Sequence, residues 1–181
     1  NASSLFQAIS AIHRESCWPF SRIRLRFVGS WEIQDAVTLA LAKQLEENGL
    51  LRREPPVSHR ECTQQMTSAQ ALLILQPHSA SRVPAKTDEY IASGRPIILI
   101  GEKGAASHLI EQHRLGKWCP NSVAAIKALL TDIAAGVTKI NPPAKDDIRQ
   151  FEYSVLTKQL AEVFDNVVSR KPAGGNDSVG S

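Results

Sequence analysis

The chain has 181 residues, of which 43% are hydrophobic and 22% charged, so it can form one domain with a sizeable core. The formal net charge is only +3 and the basic residues form no stripe, which argues against a nucleic-acid partner. No apolar run reaches the length of about 18 residues that a transmembrane helix needs, and no secretory signal is visible at the start.

Cysteine and histidine patterns exclude several further classes of site. The cysteines, which are Cys17, Cys62 and Cys119, are odd in number and far apart, so we expect a reducing, cytoplasmic location rather than a disulfide framework or a zinc site. The two closest histidines, His108 and His113, match no zinc-protease motif, and we therefore expect no metal. The absence of a G-x-S-x-G elbow and of a G-x-G-x-x-G fingerprint argues against a hydrolase triad and against the usual NAD site.

The N-terminal part of the chain predicts a helix, a strand and a second helix. Apolar residues at helical spacing from Leu5 to Ile12 indicate the first helix, which Pro19 should end. Alternating residues in Ile23–Val28 predict a strand, and the Gly29-Ser30 pair that follows suits a turn. Asp35 can then cap the second helix. The chain also opens without Met, with Asn-Ala as a cleaved expression tag would leave, so we expect a fragment of a longer protein.

The next segment predicts one short strand and a third helix. Gly49 ends the second helix, and Leu50–Val57, which carries two prolines, should contain a single short strand. Ser58 lies three residues before Glu61, which is the spacing of a capping box. This capping box predicts a helix through about Thr67.

Two continuous apolar runs in the centre predict strands that are buried on both faces. The first is Ala71–Leu75, which the polar loop Gln76–Arg82 follows. Pro84 suits the first turn of a helix, and Gly94 should close that helix. The second run is Pro96–Ile100.

The C-terminal part predicts three more helices and one edge strand. Apolar spacing indicates helices around Ala106–Ile110, Val123–Ile133 and Leu156–Val167, and Lys117–Cys119 suits an edge strand. From Ser169 to the end, the chain has the composition of a disordered tail. Strands thus alternate with helices, which predicts an α/β fold, a Rossmann-like three-layer sandwich with a mostly parallel sheet.

Ligands of such sheets bind beyond the carboxyl ends of the strands. One of these ends leads through the loop Gln76–Arg82 into the helix predicted at Pro84, whose N-terminal N–H groups attract phosphate. Arg82 and Lys86 flank this helix start and can add charge-assisted contacts. The alternative is a solvated first turn with two surface cations.

Three further residues are candidates for the same site. Glu89 stands among small residues, so its carboxylate can accept hydrogen bonds from two adjacent sugar hydroxyls, although an exposed helix glutamate is the commoner case. Gly29 allows close approach of the backbone to a ligand, or serves only the turn. His59 either faces a base or sugar from the strand end, or belongs only to a helix start.

The segment Val83–Ile97 resembles a signature of family 4 retaining glycosyltransferases, P-x-K-x-x-E-Y-x-A-x-G-R-P followed by Ile or Val. Those enzymes have the glycosyltransferase B (GT-B) fold, in which two Rossmann-like domains face each other across a cleft. Weaker resemblances fall in the same order along the chain, at Ile23–Gly29, at Val57–Leu75 and in the final helix Gln159–Val167. The resemblance spans about residues 3–168.

This resemblance implies a C-terminal, donor-binding domain. Glu89 matches the glutamate that holds the donor ribose, and the loop before Pro84 with the helix start matches the diphosphate site. Lys86 matches the signature lysine, which anchors the loop or contacts phosphate, and the region Val57–His59 would contact the base. Ser81 stands where many members have a second glutamate, which is a departure at a position that faces the donor sugar.

The resemblance therefore predicts the nucleotide-diphosphate-sugar-binding part of a glycosyltransferase, in which the glycosyl group passes to an acceptor with retention. The family's first strand and its N-terminal acceptor domain would lie before Ser3, so the fragment alone should be inactive and its sheet should lack one strand. The expected partners are the donor, the missing N-terminal domain and, through the truncated sheet, a second copy. No cofactor is expected, and the full-length protein would be cytoplasmic or peripheral at a membrane. Two alternatives stay open, which are a non-catalytic binding domain of this fold and a fragment of a nucleotide-sugar epimerase.

Overall fold

The structure is a computed structural model that describes residues 2–15, 23–76 and 80–169. Three predictions fall wholly or partly outside these residues. They are the end of the first helix at Pro19, the middle of the loop Gln76–Arg82 and the disordered tail beyond position 169. The chain divides into two compact units, with the boundary along the chain between Ile148 and Arg149.

Strands and helices alternate along most of the first unit, as the sequence predicts. Its elements, in chain order, are α1 (Ser3–Glu15), β1 (Leu25–Val28), α2 (Ala36–Glu47), β2 (Leu51–Glu54), α3 (His59–Ser68), β3 (Leu72–Gln76), α4 (Thr87–Ala92), β4 (Ile97–Gly101), α5 (Ala105–Gln112), β5 (Gly116–Cys119), α6 (Val123–Ala134) and α7 (Lys145–Arg149). The second unit contains α8 (Tyr153–Ser169).

All strand pairs in the described residues are parallel, and they form two sheets. One sheet has the order β1-β2 and the other the order β3-β4-β5. The predicted α/β fold, a Rossmann-like parallel-sheet sandwich, is thus confirmed.

Hydrogen bonds show which edges of these sheets are free. The N–H of Leu25 donates to the carbonyl of Leu50 over 2.8 Å, and the N–H of Leu72 donates to the carbonyl of Pro96 over 2.9 Å. Because alternate residues of a parallel strand bond to the same neighbour, Arg26 and Leu73 direct their backbone groups to the opposite edge. Each sheet therefore has an edge without a neighbouring strand in the described part of the chain.

Helix caps explain where several helices begin and end. The Asp35 carboxylate accepts a hydrogen bond of 2.8 Å from the Thr38 N–H, so Asp35 caps α2 as predicted. The capping box of Ser58 and Glu61 at the start of α3 is also confirmed. Both caps satisfy N–H groups that a helix start would otherwise leave unpaired.

The core of the first unit lies between the sheets and the layer formed by α1, α2 and α6. Helix α1 packs against both other helices, and its Phe6 is fully buried. Ile100 of β4 and Ile126 of α6 belong to the same core and are buried as well. Each such side chain contributes about 1.5–3 kcal/mol to stability through the apolar surface it removes from water.

The second unit differs, because α8 has no buried residue. Its apolar residues lie on one face at helical spacing and are exposed; they are Leu156, Leu160, Val163, Phe164 and Val167. None of the helices in the described ranges is long and apolar enough to cross a membrane.

Candidate functional site

Gly29 follows β1 directly and lies at the carboxyl end of the first sheet. Its N–H donates to the carbonyl of Glu54 over 3.1 Å, which ties the ends of β1 and β2 together. The φ angle of Gly29 is 123°, a conformation that favours glycine. No atom lies within 4 Å of a Cβ built on this residue, so the space beside it is open.

His59 begins α3, just after the end of β2. The carboxylate of Glu61 accepts a hydrogen bond of 3.0 Å from the Ser58 N–H, and the Ser58 hydroxyl accepts one of 3.3 Å from the Glu61 N–H. The side-chain hydrogen bond from Ser58, followed by the backbone one, holds the pKa of Glu61 below its usual value. This box fixes the backbone at His59, whose side chain is exposed.

The loop between β3 and α4 carries Ser81 and Arg82, and two hydrogen bonds hold it. The Gln76 side-chain amide donates to the Arg82 carbonyl over 2.7 Å. The Ala105 N–H donates to the Ala80 carbonyl, also over 2.7 Å. The backbone is thus fixed while the side chains of Ser81 and Arg82 are exposed.

Gly104 allows this loop to lie against the one between β4 and α5. A Cβ at Gly104 would stand 2.0 Å from the carbonyl oxygen of Ala80, which no side chain tolerates. The close approach therefore requires glycine at this position. This role of Gly104 could not be predicted from the sequence, because nothing along the chain indicates its distant neighbour.

The prediction for Pro84 is wrong, because α4 begins at Thr87 and not near Pro84. Pro84 belongs to a preceding turn, in which its carbonyl accepts a hydrogen bond of 2.9 Å from the Thr87 N–H. The cap position is occupied by Lys86, whose side chain makes no capping hydrogen bond. A helix of six residues has a weak dipole, so charged side chains must supply most of any attraction for phosphate.

Charged side chains are available around the start of α4. Lys86 and Glu89 are exposed, as is Arg82 upstream of them. Within the described chain, none of these three side chains makes a hydrogen bond or an ion pair. A ligand can therefore bind these three side chains without breaking an existing contact.

Tyr90 of α4 is partly buried. Burial is the main cause that raises the pKa of its hydroxyl, and electrostatic interactions with Cys62 and Glu89 raise it further.

Two buried polar atoms near the strand ends have no partner among the described atoms. They are the Thr87 hydroxyl, in the first residue of α4, and the indole nitrogen of Trp31. The Trp31 ring stacks on Phe6 at 6.0 Å and meets Phe27 edge-on at 5.1 Å, with the Arg53 guanidinium 5.1 Å from its centroid. Trp31 is thus a packing residue rather than an exposed stacking platform.

The predicted site residues consequently fall into two sets. Ser81, Arg82, Pro84, Lys86 and Glu89 lie on one continuous stretch, which hydrogen bonds tether at Ala80 and Arg82. Gly29 is instead joined to the end of β2, and His59 follows that strand at the start of α3. The tether from Gln76 was not predicted, because its partner Arg82 lies six residues away across a loop and leaves no local signature in the sequence.

Among the described side chains, no group of three or more His, Cys, Asp and Glu residues is arranged to hold a metal ion. Compared with known proteins, the chain matches no family model, and no curated protein is significantly similar to it. The resemblance to a glycosyltransferase thus stays a prediction based on the Val83–Ile97 signature.

Proposed function

We propose that this chain is the donor-binding domain of a retaining glycosyltransferase and binds a nucleotide-diphosphate sugar. The observation that carries the proposal is the set of three unpartnered charged side chains, Arg82, Lys86 and Glu89, on the tethered stretch after β3. The signature resemblance of this same stretch and the α/β fold support it.

The charges of this stretch match the chemistry of the donor. Two cations can form charge-assisted hydrogen bonds with the two phosphates, and one carboxylate can accept hydrogen bonds from both ribose hydroxyls. Lys86 at the cap position and Glu89 in the first turn of α4 stand three residues apart, a spacing that brings side chains to the same side of a helix start. Diphosphate and ribose are adjacent groups in a nucleotide sugar, so one ligand can engage both side chains.

In a complete enzyme, this domain would hold the donor against the acceptor and stabilise the departing diphosphate. Positioning and charge stabilisation are the two contributions that a protein makes to such a transfer. The second candidate, a non-catalytic binding domain of the same fold, is favoured by Ser81. The hydroxyl of Ser81 cannot supply the negative charge of the glutamate that many family members have at this position.

Glu89→Ala should weaken the binding of ribonucleoside diphosphates and their sugars by about 10- to 100-fold, since hydrogen bonds to a charged group are lost. Calorimetric titration measures this change. Asp88→Ala is the matched control, because Asp88 is also an exposed carboxylate in α4 and should leave affinity unchanged.

A 2′,3′-dideoxynucleoside diphosphate makes the test specific to the ribose contact. Wild type and Glu89→Ala should bind this probe equally, because it lacks the hydroxyls that Glu89 would contact. If Glu89→Ala binds the ribonucleotides as tightly as wild type does, Glu89 does not belong to the site. If no nucleoside diphosphate or diphosphate sugar binds at millimolar concentration, the donor-binding proposal fails.

A further inference from the structure

A second cationic region lies at the opposite end of the β3-β4-β5 sheet from the proposed donor site. It is a cleft of about 350 Å³ beside the amino end of β5 and the end of α5. We call it the β5 cleft; its lining residues are Glu111, Arg114, Gly116, Lys117, Lys139, Ile140 and Asn141. With three cations and one carboxylate among them, the lining has a net positive charge.

Arg114 stands in the β5 cleft in an unusual backbone conformation. Its φ angle is 54°, and it is the only non-glycine residue in the described ranges with a positive φ. The position follows the C-cap of α5, where a left-handed residue closes the helix. Glycine is the residue that adopts this conformation without steric cost.

The ends of α2 and α6 provide an internal comparison. In α5, Arg114 donates its N–H to Glu111, and the next residue donates to Ile110. The same pair of hydrogen bonds closes α2 at Gly49 and α6 at Gly136, and both glycines have positive φ. Three helices thus share one closing motif, and only α5 has a charged side chain where the others have glycine.

The cations of the β5 cleft are also unneutralised. Throughout the described chain, Arg114, Lys117 and Lys139 make no ion pair and no side-chain hydrogen bond. Three like charges around one cleft repel each other, and a bound anion relieves that repulsion. The left-handed backbone of Arg114 adds a second energetic cost, which a glycine at this position would avoid.

We propose that the β5 cleft binds the phosphate group of a small phosphorylated molecule. Arg114 supplies the fork of guanidinium donors that suits a phosphate, and Lys117 and Lys139 supply point charges. A cleft of about 350 Å³ is larger than a phosphate alone and falls in the size range of small-ligand sites. Glu111 and Asn141, which also line the cleft, can then hold hydroxyl groups of the remainder of the ligand.

The test uses glycerol 3-phosphate and inorganic pyrophosphate as probes and glycerol as the uncharged control. Both anions should shift the amide resonances of Gly116 and Asn141, glycerol should shift neither, and raising the salt concentration should weaken binding. Arg114→Gly should lower the affinity for both anions by about tenfold or more, because it removes the bidentate donor. The Tm of Arg114→Gly should equal or exceed that of wild type, since glycine suits the left-handed conformation.

Lys43→Gln in α2 is the control for loss of a surface cation and should change neither affinity nor resonance positions. Glu89→Ala should also leave the β5 cleft unchanged, so this test does not depend on the donor site. Unchanged affinity in Arg114→Gly, or shifts confined to residues outside the cleft, would overturn the proposal. A lower Tm for Arg114→Gly would overturn it as well, because Arg114 would then serve the end of α5 rather than a ligand.

Discussion

At the scale of single residues, Glu54 shows how the end of β2 is held by charge. Its carboxylate lies 2.7 Å from a guanidinium nitrogen of Arg26 and 2.8 Å from one of Arg52. The hydrogen bond from Arg26 is the largest cause that lowers the pKa of Glu54. The Arg26–Glu54 ion pair therefore joins β1 to β2, next to the backbone hydrogen bond between Gly29 and Glu54.

This lowered pKa predicts a pH dependence of stability. A carboxyl group whose pKa is lower in the folded state stabilises the fold above its usual pKa, and the contribution is lost as pH falls through the folded-state value. Glu54→Gln should therefore lower the Tm at pH 7 and reduce its fall on acidification. Thermal unfolding followed from pH 7 to about pH 3 tests this. Glu47→Gln, in an exposed pair in α2, should behave like wild type, and identical profiles for all three proteins would contradict the prediction.

At the same scale, the sequence could predict only those site residues whose role depends on their own side chain and not on distant neighbours. The charges of Arg82, Lys86 and Glu89 are visible in the sequence, and the structure leaves them exposed. The buried Thr87 hydroxyl and the contact of Gly104 with Ala80 were not predictable, because both depend on neighbours that are distant along the chain. The error at Pro84 has a local cause. A proline that suits the first turn of a helix also suits the turn before one.

At the scale of elements, the helix ends show how one closing motif forms with different residues at its left-handed position. Gly136 closes α6 with a φ of 75°, and the space that a Cβ would occupy there is open. A substitution at this position would therefore meet no neighbour and would cost only the strained backbone.

Gly136→Ala should thus lower the free energy of unfolding by about 1 kcal/mol. Arg114→Gly should change it in the opposite direction, because it relieves the same strain. Urea unfolding of both variants measures the two changes. A neutral Gly136→Ala would show that a residue other than glycine causes no strain at this position, and backbone strain at Arg114 would then not support a ligand site.

The elements themselves were largely predictable, since hydrophobic periodicity and caps are local properties. Asp35, Ser58 and Glu61 form the caps expected of them. All five predicted strands are present, four of them within two residues of their predicted bounds and the fifth inside Leu50–Val57. Helix α7 was not predicted, because its five residues lie in a polar, proline-containing segment without apolar spacing.

At the scale of the whole molecule, the outer edges of β1 and β3 have no neighbouring strand in the described part of the chain. Hydrogen exchange should detect them, because amides without a hydrogen bond exchange faster. We expect the amides of Arg26 and Leu73 to exchange faster than those of Leu25 and Leu72, which donate to neighbouring strands. Equal protection within each pair would mean that something covers these edges.

The same measurement at several protein concentrations tests the predicted homodimer. If a second copy covers the edges, the amides of Arg26 and Leu73 should become protected as concentration rises. The division into two sheets was only partly predictable. Strand patterns indicate a parallel sheet, but they do not say which strands become neighbours.

The contact between Gly104 and Ala80 also limits how the protein can evolve. Any side chain at position 104 would displace the Ala80 carbonyl and, with it, the backbone that carries Ser81 and Arg82. The loops after β3 and β4 must therefore vary together among descendants of this sequence. A change of ligand preference in the first loop is then expected to appear with a compensating change in the second.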